Sequence, residues 1–490
     1  MNKSVYDKVE DLYDQNLKHF KRLENIFEND FNIGYDITRS TVKRMLVESF
    51  NYGQKEHLTN YSPSFKKLLF YYIVMIYFLF MSFFGKRKKS VKKFDVLLEN
   101  WSGNNFEEFY KRVYNKIFNI YRIAVFDITK EMDKKFFPEN CLIVSRNSNH
   151  KHRYSNIISL LILKKQIARY FEYQRLSQNS GIDIINISLR LQRYIAVYNT
   201  DTYDLNSKFL ISASDNHYNA MRYFIYKKNG INNILLIQNG IRTGEISNSS
   251  GDMYTYCDYY LGFGETNIKS QKGMYCPNKL PIGSLRLYDN IRHEDKSMAI
   301  EFDVIFIEQL SLLRTVDFNV DRYMKIIDML CKFAISNKNY KLSYKTRPNR
   351  LIRYSANQNM LKHINDIDNK LKEANILIDE KISKNSYEAI LKSNVIVYYN
   401  STMGFEAIGL NKKVLCCNLD KQNFQISTED EIGSLVDDSY DLFEKKLIHL
   451  LNNDNEEIRK YYEMKKLKFM NLKDDPVEKM IEILKKNINK

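Results

Sequence analysis

The chain has 490 residues, 44% of them hydrophobic, which is enough to bury a large core and favours two to four domains. Lys and Arg number 75 against 59 Asp and Glu, and this formal net charge of +16 suits phosphorylated metabolites, anionic lipid or nucleic acid as partners. Only 16 Gly and 6 Pro occur, which argues against collagen-like, linker-rich and disordered classes.

The six cysteines form no recognisable metal-binding motif. They include no C-x-x-C pair, and no histidine lies near them at metal-ligand spacing, which argues against a zinc site. Cys416 and Cys417 are adjacent within an apolar run. We therefore expect buried thiols in a reducing compartment rather than disulfides.

Residues 1–100 predict a helical region. Val9, Tyr13, Phe20 and Phe27 recur at helical spacing among charged residues, which indicates an amphipathic helix that packs against the first domain. The chain does not begin with a basic stretch followed by an apolar run, so we expect no cleavable secretory signal.

An uncharged apolar run covers residues 68–84, with basic residues on both sides, at 66–67 and 86–93. As a helix this run would extend about 25 Å, the short end of what crosses a bilayer. Two interpretations remain open: a buried core helix, or a membrane contact whose basic flanks face anionic headgroups. The second interpretation predicts a protein at the cytoplasmic face of the inner membrane, bound peripherally or by a single span.

Residues 101–289 alternate short apolar runs with helical stretches, which predicts a first parallel α/β domain. The clearest unit is a βαβ crossover over residues 208–238, with Asp215 as the expected helix N-cap and Asn229-Gly230 as the helix stop. The apolar runs of this domain are CLIVS (141–145), IDIINIS (182–188), KFLISAS (208–214) and NILLIQ (233–238).

Residues 290–301 are charged and predict a linker to a second α/β domain at 302–439, which is followed by C-terminal helices over 440–490. The fold class is therefore α/β, with two Rossmann-like domains in tandem. The apolar runs of the second domain are FDVIFIE (302–308), YKLSYK (340–345), NILID (375–379), NVIVYY (394–399) and KVLCC (413–417), with a helix around 320–333.

The stretch NSTMGFEAI (400–408) directly follows a predicted strand, at the edge where open α/β sheets bind ligands. Ser401 or Thr402 would cap a helix whose N-terminus favours a phosphate, and Glu406 would share a helix face with Thr402. Gly404 would leave room for the ligand to approach. The alternative is a capped helix without a ligand.

A second stretch, YKTRPNR (344–350), places two cations at the same predicted edge. Lys345 and Arg347 come just after a strand, and the arginine fork suits bidentate contact with phosphate. The alternative is a solvated basic loop. Because the two stretches would meet at one edge, each strengthens the phosphate interpretation of the other.

The order of LIQNGIR (236–242), PIGSLRL (281–287), KTRP (345–348) and NSTMGFEAI (400–408) resembles GT-B-fold glycosyltransferases of bacterial surface polysaccharide synthesis. It is also similar to the related CDP-glycerol glycerophosphotransferases and to capsule Kdo or sialic acid transferases. The resemblance covers residues 205–420.

The resemblance implies roles for particular residues. Arg347 stands where these enzymes often have His, which keeps a cation for the phosphate but removes an acid. Asn239 replaces the His of a Gln-His-Gly turn, and Asn cannot act as a base. The implied donor-binding residues are Lys345, Arg347, Ser401, Thr402, Gly404 and Glu406. The implied acceptor-side or cleft residues are Gln238, Asn239, Gly240, Arg242, Gly283 and Arg286.

Transfer of a sugar requires a base for the acceptor hydroxyl and positive potential at the leaving phosphate. Asp215 and His217 follow a first-domain strand and are the leading candidates for the base, with Glu265 in reserve. A simple N-cap at Asp215 and a surface histidine at His217 are the alternatives. The sequence has no Asp-x-Asp motif, so we expect no metal and no other cofactor.

These features predict a metal-independent glycosyltransferase that moves a sugar from a nucleotide-activated donor to a surface glycan or a lipid-linked acceptor. A CDP-glycerol or polyol phosphotransferase is the alternative within the fold. A nucleotide-sugar epimerase and a noncatalytic basic membrane-binding protein are alternatives from other classes. The sequence shows no basic and aromatic interleaving typical of a nucleic-acid module, so nucleic acid is not an expected partner.

Overall fold

Two parallel β-sheets organise the chain. The computed structural model describes residues 5–51, 73, 76, 91–100, 110–127, 137–139, 141–145, 153–202, 205–240, 253–269, 271, 273–288, 298–309, 319–347, 349–355, 357–380, 383, 385–399, 401–419, 431–453 and 456–488. The predicted linker 290–301 lies mostly outside this set. So does the apolar run 68–84, of which only Ile73 and Ile76 are described, both helical and exposed.

The first sheet has seven strands within the described ranges, in the order β3-β2-β1-β4-β5-β6-β7, and every pairing is parallel. Val96 of β1 lies opposite Ile123 of β2 and Phe209 of β4. The strands are β1 Lys92–Asn100, β2 Ile123–Asp127, β3 Ile143–Ser145, β4 Leu205–Ser212, β5 Ile231–Ile237, β6 Tyr259–Gly262 and β7 Asn278–Pro281.

Helices cover both faces of the first sheet, because its central strands bury apolar side chains on both sides. Leu97 faces the cluster formed with α1–α3 and α5–α8, whereas Val96 and Leu98 face the cluster that contains α4. The helices of this part of the chain are α1 Val5–Gln15, α2 Leu17–Phe31, α3 Tyr35–Asn51, α4 Lys111–Ile117, α5 Arg153–Ala168, α6 Tyr170–Ser180, α7 Ile184–Thr202, α8 Ala220–Lys228 and α9 Glu265–Lys269.

Strand β1 differs from the prediction, which assigned residues 1–100 to a helical region. Lys92–Asn100 is instead a strand near the centre of the first sheet, where it pairs with β2 and β4. The helices α1–α3 that precede it share one apolar core with that sheet. The first domain therefore includes residues that the prediction placed before residue 101.

Residues 182–188 also differ from the prediction, which made IDIINIS a strand. They begin α7, where the Asp183 carboxylate accepts a hydrogen bond of 3.0 Å from the Asn186 backbone N–H and caps the helix. Ile184, Ile187 and Leu191 are fully buried at helical spacing. The β-branched composition suggested a strand, but the cap and the longer period favour a helix.

The βαβ crossover forms as predicted, with a different helix cap. Asp215 begins a short 3₁₀ turn that ends at His217, and the side chain of Asn219 accepts from the Arg222 N–H to cap α8. Gly230 follows the helix with φ +101°, a conformation that suits glycine.

The second sheet has six strands in the described ranges, in the order β10-β9-β8-β11-β12-β13, again with parallel pairings. The strands are β8 Phe302–Ile307, β9 Leu342–Lys345, β10 Leu377–Asp379, β11 Ser393–Tyr398, β12 Lys413–Cys417 and β13 Ser434–Leu435. The helices that follow α9 are α10 Val320–Ser336, α11 Arg350–Tyr354, α12 Gln358–Glu373, α13 Ser386–Leu391, α14 Thr402–Gly409, α15 Tyr440–Asn452, α16 Glu456–Phe469 and α17 Pro476–Ile488.

The segment after α16 returns from the second domain to the first. Asn471 donates from its backbone to the Phe263 carbonyl and from its side chain to the Pro281 carbonyl, both at 2.8 Å. Gly264 permits this passage, since an added Cβ would lie 2.3 Å from the Lys468 carbonyl oxygen. Helix α17 then buries Val477 and Leu484 against the sheet face that also contains α4. The predicted unit 440–490 is thus divided between the two domains.

No helix among the described residues combines the length and the apolar character needed to cross a bilayer.

Candidate active site

The strand order of each sheet reverses at one point. β1 and β4 are neighbours although β2 and β3 lie between them in the chain, and β8 and β11 are neighbours although β9 and β10 intervene. In open α/β sheets, ligands bind at the carboxyl ends of the strands where this reversal occurs. The residues that follow β1, β4, β8 and β11 are therefore the candidates for chemistry.

The two carboxyl edges meet at one interface. Ser284, in the loop after β7, donates a hydrogen bond of 2.7 Å to Glu406 of α14, the helix that follows β11. An added Cβ at Gly409 of α14 would approach Leu287 of the first domain. The loop after β7 and the helix after β11 are therefore in contact across the interface between the two domains.

An ion pair lies buried behind the β1/β4 reversal. Glu99, at the end of β1, pairs with Arg222 of α8, and the two side chains are 0% and 7% exposed. Tyr218 donates to the Glu99 carboxylate at 2.8 Å, and the Ser212 hydroxyl also donates to it. The Arg222 guanidinium lies 4.1 Å from the centre of the Tyr218 ring. These contacts fix the turn that carries His217.

His217 reaches solvent at the end of the 3₁₀ turn after β4. The surrounding protein lowers the pKa of His217 below its ordinary value of 6.5, and the positive charges of Arg222 and Arg44 lower it further. The imidazole is therefore neutral near pH 7 and able to accept a proton. Of the three predicted bases, His217 is the one that is exposed, lies after a strand at the reversal point and is neutral near pH 7.

The other two predicted bases have different surroundings. Asp215 is 2% exposed and accepts a hydrogen bond of 3.1 Å from Tyr260, whose hydroxyl also accepts from Gln271. This carboxylate is enclosed within the first domain. Glu265 is exposed at the start of α9 and pairs with Lys269 at 2.9 Å, beyond β6 rather than beside β4.

The predicted acceptor-side turn after β5 mainly binds its own domain. The Gln238 side chain accepts from the Phe263 N–H at 2.8 Å and donates to the Gly240 carbonyl at 2.7 Å. The Asn239 amide donates to the Ala213 carbonyl. These bonds hold the loops after β4, β5 and β6 together, which is a structural role. Arg242 lies outside the described residues.

Gly283 and Arg286, also predicted on the acceptor side, flank the returning segment. Gly283 has φ +84°, and an added Cβ would lie 2.5 Å from the Asn471 carbonyl oxygen. A glycine is thus required at position 283, both by the positive φ and by the close packing against Asn471. Arg286 is exposed, and its charge acts on Glu406 across the domain interface.

Lys345, predicted to bind the donor phosphate, is buried in an ion pair. Its ammonium group lies 3.0 Å from the Asp379 carboxylate and 3.2 Å from the Ser383 carbonyl, and its side chain is only 4% exposed. A direct contact with phosphate would require this buried pair to separate. Lys345 instead joins the carboxyl ends of β9 and β10.

Arg347 is the better placed cation at this edge. It is half-buried, and its guanidinium donates to the neutral Gln309 amide oxygen at 3.0 Å, so this contact leaves its charge uncompensated. Its backbone N–H donates to Glu308 at 2.7 Å. Glu308 follows β8 and pairs with Arg350 at 3.0 Å. Burial raises the pKa of Glu308, although the Arg347 N–H and Arg350 oppose the shift.

The start of α14 lies directly after β11. Ser401 caps the helix as predicted, since its hydroxyl accepts from the Met403 N–H at 3.3 Å. Thr402, the first helical residue, is half-exposed. Gly404 has a packing role, because an added Cβ would lie 2.4 Å from the Tyr398 ring. Helix packing, rather than the approach of a ligand, accounts for this glycine.

Glu406 joins the two domains instead of facing an open pocket with Thr402. It is 3% exposed, and one carboxylate oxygen accepts from Ser284 at 2.7 Å and from Tyr387 at 3.0 Å. Burial raises the pKa of Glu406, while the Ser284 hydrogen bond and the charge of Arg286 oppose the shift. A ribose could bind this oxygen only by displacing a hydroxyl of the protein.

The raised pKa of Glu406 gives a pH-dependent contribution to stability. A carboxyl that binds its proton more tightly in the folded state contributes stability fully below its ordinary pKa of 4.5 and loses it as pH rises through the folded value. Glu406→Gln keeps an oxygen for both hydroxyls but cannot ionise. We expect the free energy of unfolding of Glu406→Gln, relative to wild type, to increase as pH rises from 4.5 to 8 in urea titrations. If the difference in the free energy of unfolding between the two proteins stayed constant with pH, this expectation would be contradicted.

Sequence reasoning missed Glu99, Arg222, Glu308 and Gln309. Glu99 is the last residue but one of β1, and Glu308 directly follows β8. A charged residue at the carboxyl end of a buried strand was the signal that could have found them. Arg222 gave no such signal, because its partner lies far away in the sequence.

The two parallel sheets and their reversal points define a two-domain α/β protein, an arrangement consistent with the GT-B type. No family model matches the chain, and no curated protein matches it.

Solved structures that are similar to the chain include enzymes of two kinds. The wall teichoic acid polymerase TagF is 14% identical with a TM-score of 0.45, over 87% of this chain and 99% of that chain. The UDP-GlcNAc 2-epimerase from Methanocaldococcus jannaschii is 14% identical with a TM-score of 0.42, over 81% of this chain and 100% of that chain. A further UDP-N-acetylglucosamine 2-epimerase is 11% identical with a TM-score of 0.44, over 81% and 96%. The function is therefore argued from the site itself.

Proposed function

We propose that the protein transfers a sugar from a nucleotide-activated donor to a surface glycan or a lipid-linked acceptor. One observation carries the proposal: loops at the carboxyl edges of two parallel sheets are in contact, with a neutral exposed histidine at the reversal point of the first sheet. At the reversal point of the second sheet, a helix starts after β11 and Arg347 contacts Gln309 after β8. This pairing of a base with an anion site matches what group transfer from a nucleotide requires.

The second domain would bind the donor. The positive end of the α14 dipole and the half-exposed Thr402 side chain favour an anion at the start of this helix. Arg347, beside β8, would neutralise charge on the leaving phosphate. Lys345 would act indirectly, by keeping the ends of β9 and β10 in place through Asp379.

The first domain would bind and activate the acceptor. His217 would take the proton of the acceptor hydroxyl while that oxygen forms a bond to the anomeric carbon. The bond from this carbon to the donor phosphate breaks in the same event, and the nucleotide leaves with the electron pair. The proposed step needs no metal, so we expect EDTA to leave the rate unchanged.

The proposed location is the cytoplasmic face of the inner membrane, next to a glycan or lipid-linked acceptor. The net charge of +16 suits such a surface. Nucleic acid is not a proposed partner. A polyol phosphate could replace the sugar on the donor, in which case the acceptor oxygen would bond to phosphorus instead.

A thermal-shift screen with CMP, CDP, UDP and their sugar or glycerol derivatives tests donor binding, because a ligand of the folded state raises Tm by mass action. We expect Arg347→Gln to weaken binding of the selected nucleotide about 10- to 100-fold, the value of a charge-assisted hydrogen bond. Lys370→Gln is the matched control, a surface cation of the same domain that pairs with Asp328.

Incubation with the selected donor and its acceptor then distinguishes the reactions. Release of free nucleotide with a labelled acceptor supports transfer, and the label identifies a sugar or a polyol phosphate. An isomerised sugar nucleotide without free nucleotide would show an epimerase instead. A protein that no nucleotide stabilises would contradict the proposal and favour a noncatalytic role.

A further inference from the structure

Helices α5 and α6 form a nearly continuous rod on the first domain. Their junction keeps helical hydrogen bonds, because the Arg169 N–H donates to the Lys165 carbonyl at 3.0 Å and the Tyr173 N–H donates to the Arg169 carbonyl at 2.9 Å. Side chains that follow one another at alternating intervals of four and three residues therefore stay on one side of the rod across the junction.

One side of this rod is exposed along its length, and we call it the α5–α6 stripe. Its large apolar members are exposed, with Ile157 38% exposed, Leu161 54% and Phe171 69%. The opposite side is buried in the core of the first domain through Ile162, Tyr170 and Tyr173. The stripe consists of Ile157, Leu161, Lys164, Ala168, Phe171 and Arg175.

The charge of the stripe is positive. Lys164 and Arg175 are exposed, and none of its six members is acidic. Helix α2 packs beside α6 and adds the exposed cations Lys18, Lys21 and Arg22. Glu172 lies near this surface, but it is half-buried and pairs with Arg22 and Arg169.

This combination argues for an anionic, apolar partner. Exposed Leu and Phe at helical spacing lose the benefit of burial unless another surface covers them. A second copy of the same stripe would bring Lys164 and Arg175 close to like charges in either orientation. Helices that present bulky apolar side chains among cations are typical of those that lie in the headgroup region of a membrane.

We propose that the α5–α6 stripe docks on an anionic lipid surface. Leu161 and Phe171 enter the boundary between headgroups and acyl chains, while Lys164 and Arg175 contact lipid phosphates. None of the residues of the stripe belongs to the apolar run 68–84. The proposal also goes beyond the transfer reaction, because lipid binding is measured without donor or acceptor and is independent of whether transfer is observed.

Sedimentation of the full chain with vesicles tests the proposal. We expect binding to phosphatidylglycerol-containing vesicles, weaker binding to pure phosphatidylcholine, and loss of affinity at high salt. The double variant Leu161→Glu/Phe171→Glu should bind the anionic vesicles at least about tenfold more weakly, because two apolar contacts become repulsive. Lys164→Glu/Arg175→Glu should reduce binding to anionic vesicles only.

The matched control is Ile335→Glu/Ile352→Glu, which changes two apolar side chains of the second domain that are 55% and 76% exposed. It should bind vesicles like the wild type. Far-UV circular dichroism checks that every variant is folded. Wild-type affinity in the Leu161→Glu/Phe171→Glu variant would overturn the proposal. The proposal would also be overturned if light scattering showed that the wild type is a dimer and that the Leu161→Glu/Phe171→Glu variant is a monomer. The partner of the stripe would then be a second copy of the chain.

Discussion

Replacing His217 by glutamine is expected to lower the rate of transfer about 10²- to 10⁴-fold, the contribution of a general base. His217 ends the turn after β4, at the reversal point of the first sheet, and reaches solvent. Glutamine keeps a polar group of similar size but cannot take a proton. Because the proposed donor site is in the second domain, the affinity for the nucleotide should stay unchanged in the thermal-shift assay.

The pH profile tests the same role. The protein surroundings, Arg222 and Arg44 lower the pKa of His217 below 6.5, so the neutral base form predominates above that pH. We expect the wild-type rate to fall on the acidic side as pH drops through the lowered pKa, and this limb should disappear in His217→Gln. His363→Gln, in α12 of the second domain, is the control and should retain the wild-type profile. A His217→Gln variant with the full rate would exclude the histidine as base.

The largest effect on stability is expected for Arg222→Met. This change leaves Glu99 fully buried without its cation, and breaking a buried ion pair in this way costs about 3–5 kcal/mol. Methionine preserves much of the apolar volume of the arginine, so the loss reflects charge rather than a cavity. Urea unfolding, followed by circular dichroism, measures the free energy of unfolding of each protein.

Two further proteins test the cause of this loss. Lys269→Met removes a cation whose ion pair with Glu265 is largely exposed, and its effect should be no more than about 1 kcal/mol. Adding Glu99→Gln to Arg222→Met removes the stranded charge and should recover part of the stability. An Arg222→Met protein within 1 kcal/mol of wild type, or no recovery in the double variant, would contradict the explanation.

Much of the fold follows from local patterns. The run at 413–417 is the strand Lys413–Cys417, and the runs at 302–308 and 394–399 differ from β8 and β11 by one residue at their ends. Continuous apolar runs flanked by turns suffice to predict buried parallel strands. Residues 182–188 show the limit of this reasoning, since a β-branched run is also compatible with a helix when a cap precedes it.

The sequence located the strand ends of the site more successfully than the contacts there. It placed the cap of α14 at Ser401 or Thr402, of which the structure shows Ser401, and it placed Lys345 at the end of a strand, which is β9. It did not predict that Lys345 would be neutralised by Asp379, or that Glu406 would bind Ser284 of the other domain. Those partners are brought together only by the tertiary fold, and local periodicity contains no information about them.

The return of α17 to the first domain affects the order in which the protein folds during synthesis. Val477, Leu484 and Ile488 complete the apolar face of the first sheet that also contacts α4, yet they follow the whole second domain in the chain. At ribosomal rates, the part of that face that α17 covers stays uncovered for on the order of ten seconds after β7 emerges. The nascent first domain therefore presents an apolar surface that chaperones can bind, and its final packing waits until the second domain has been translated.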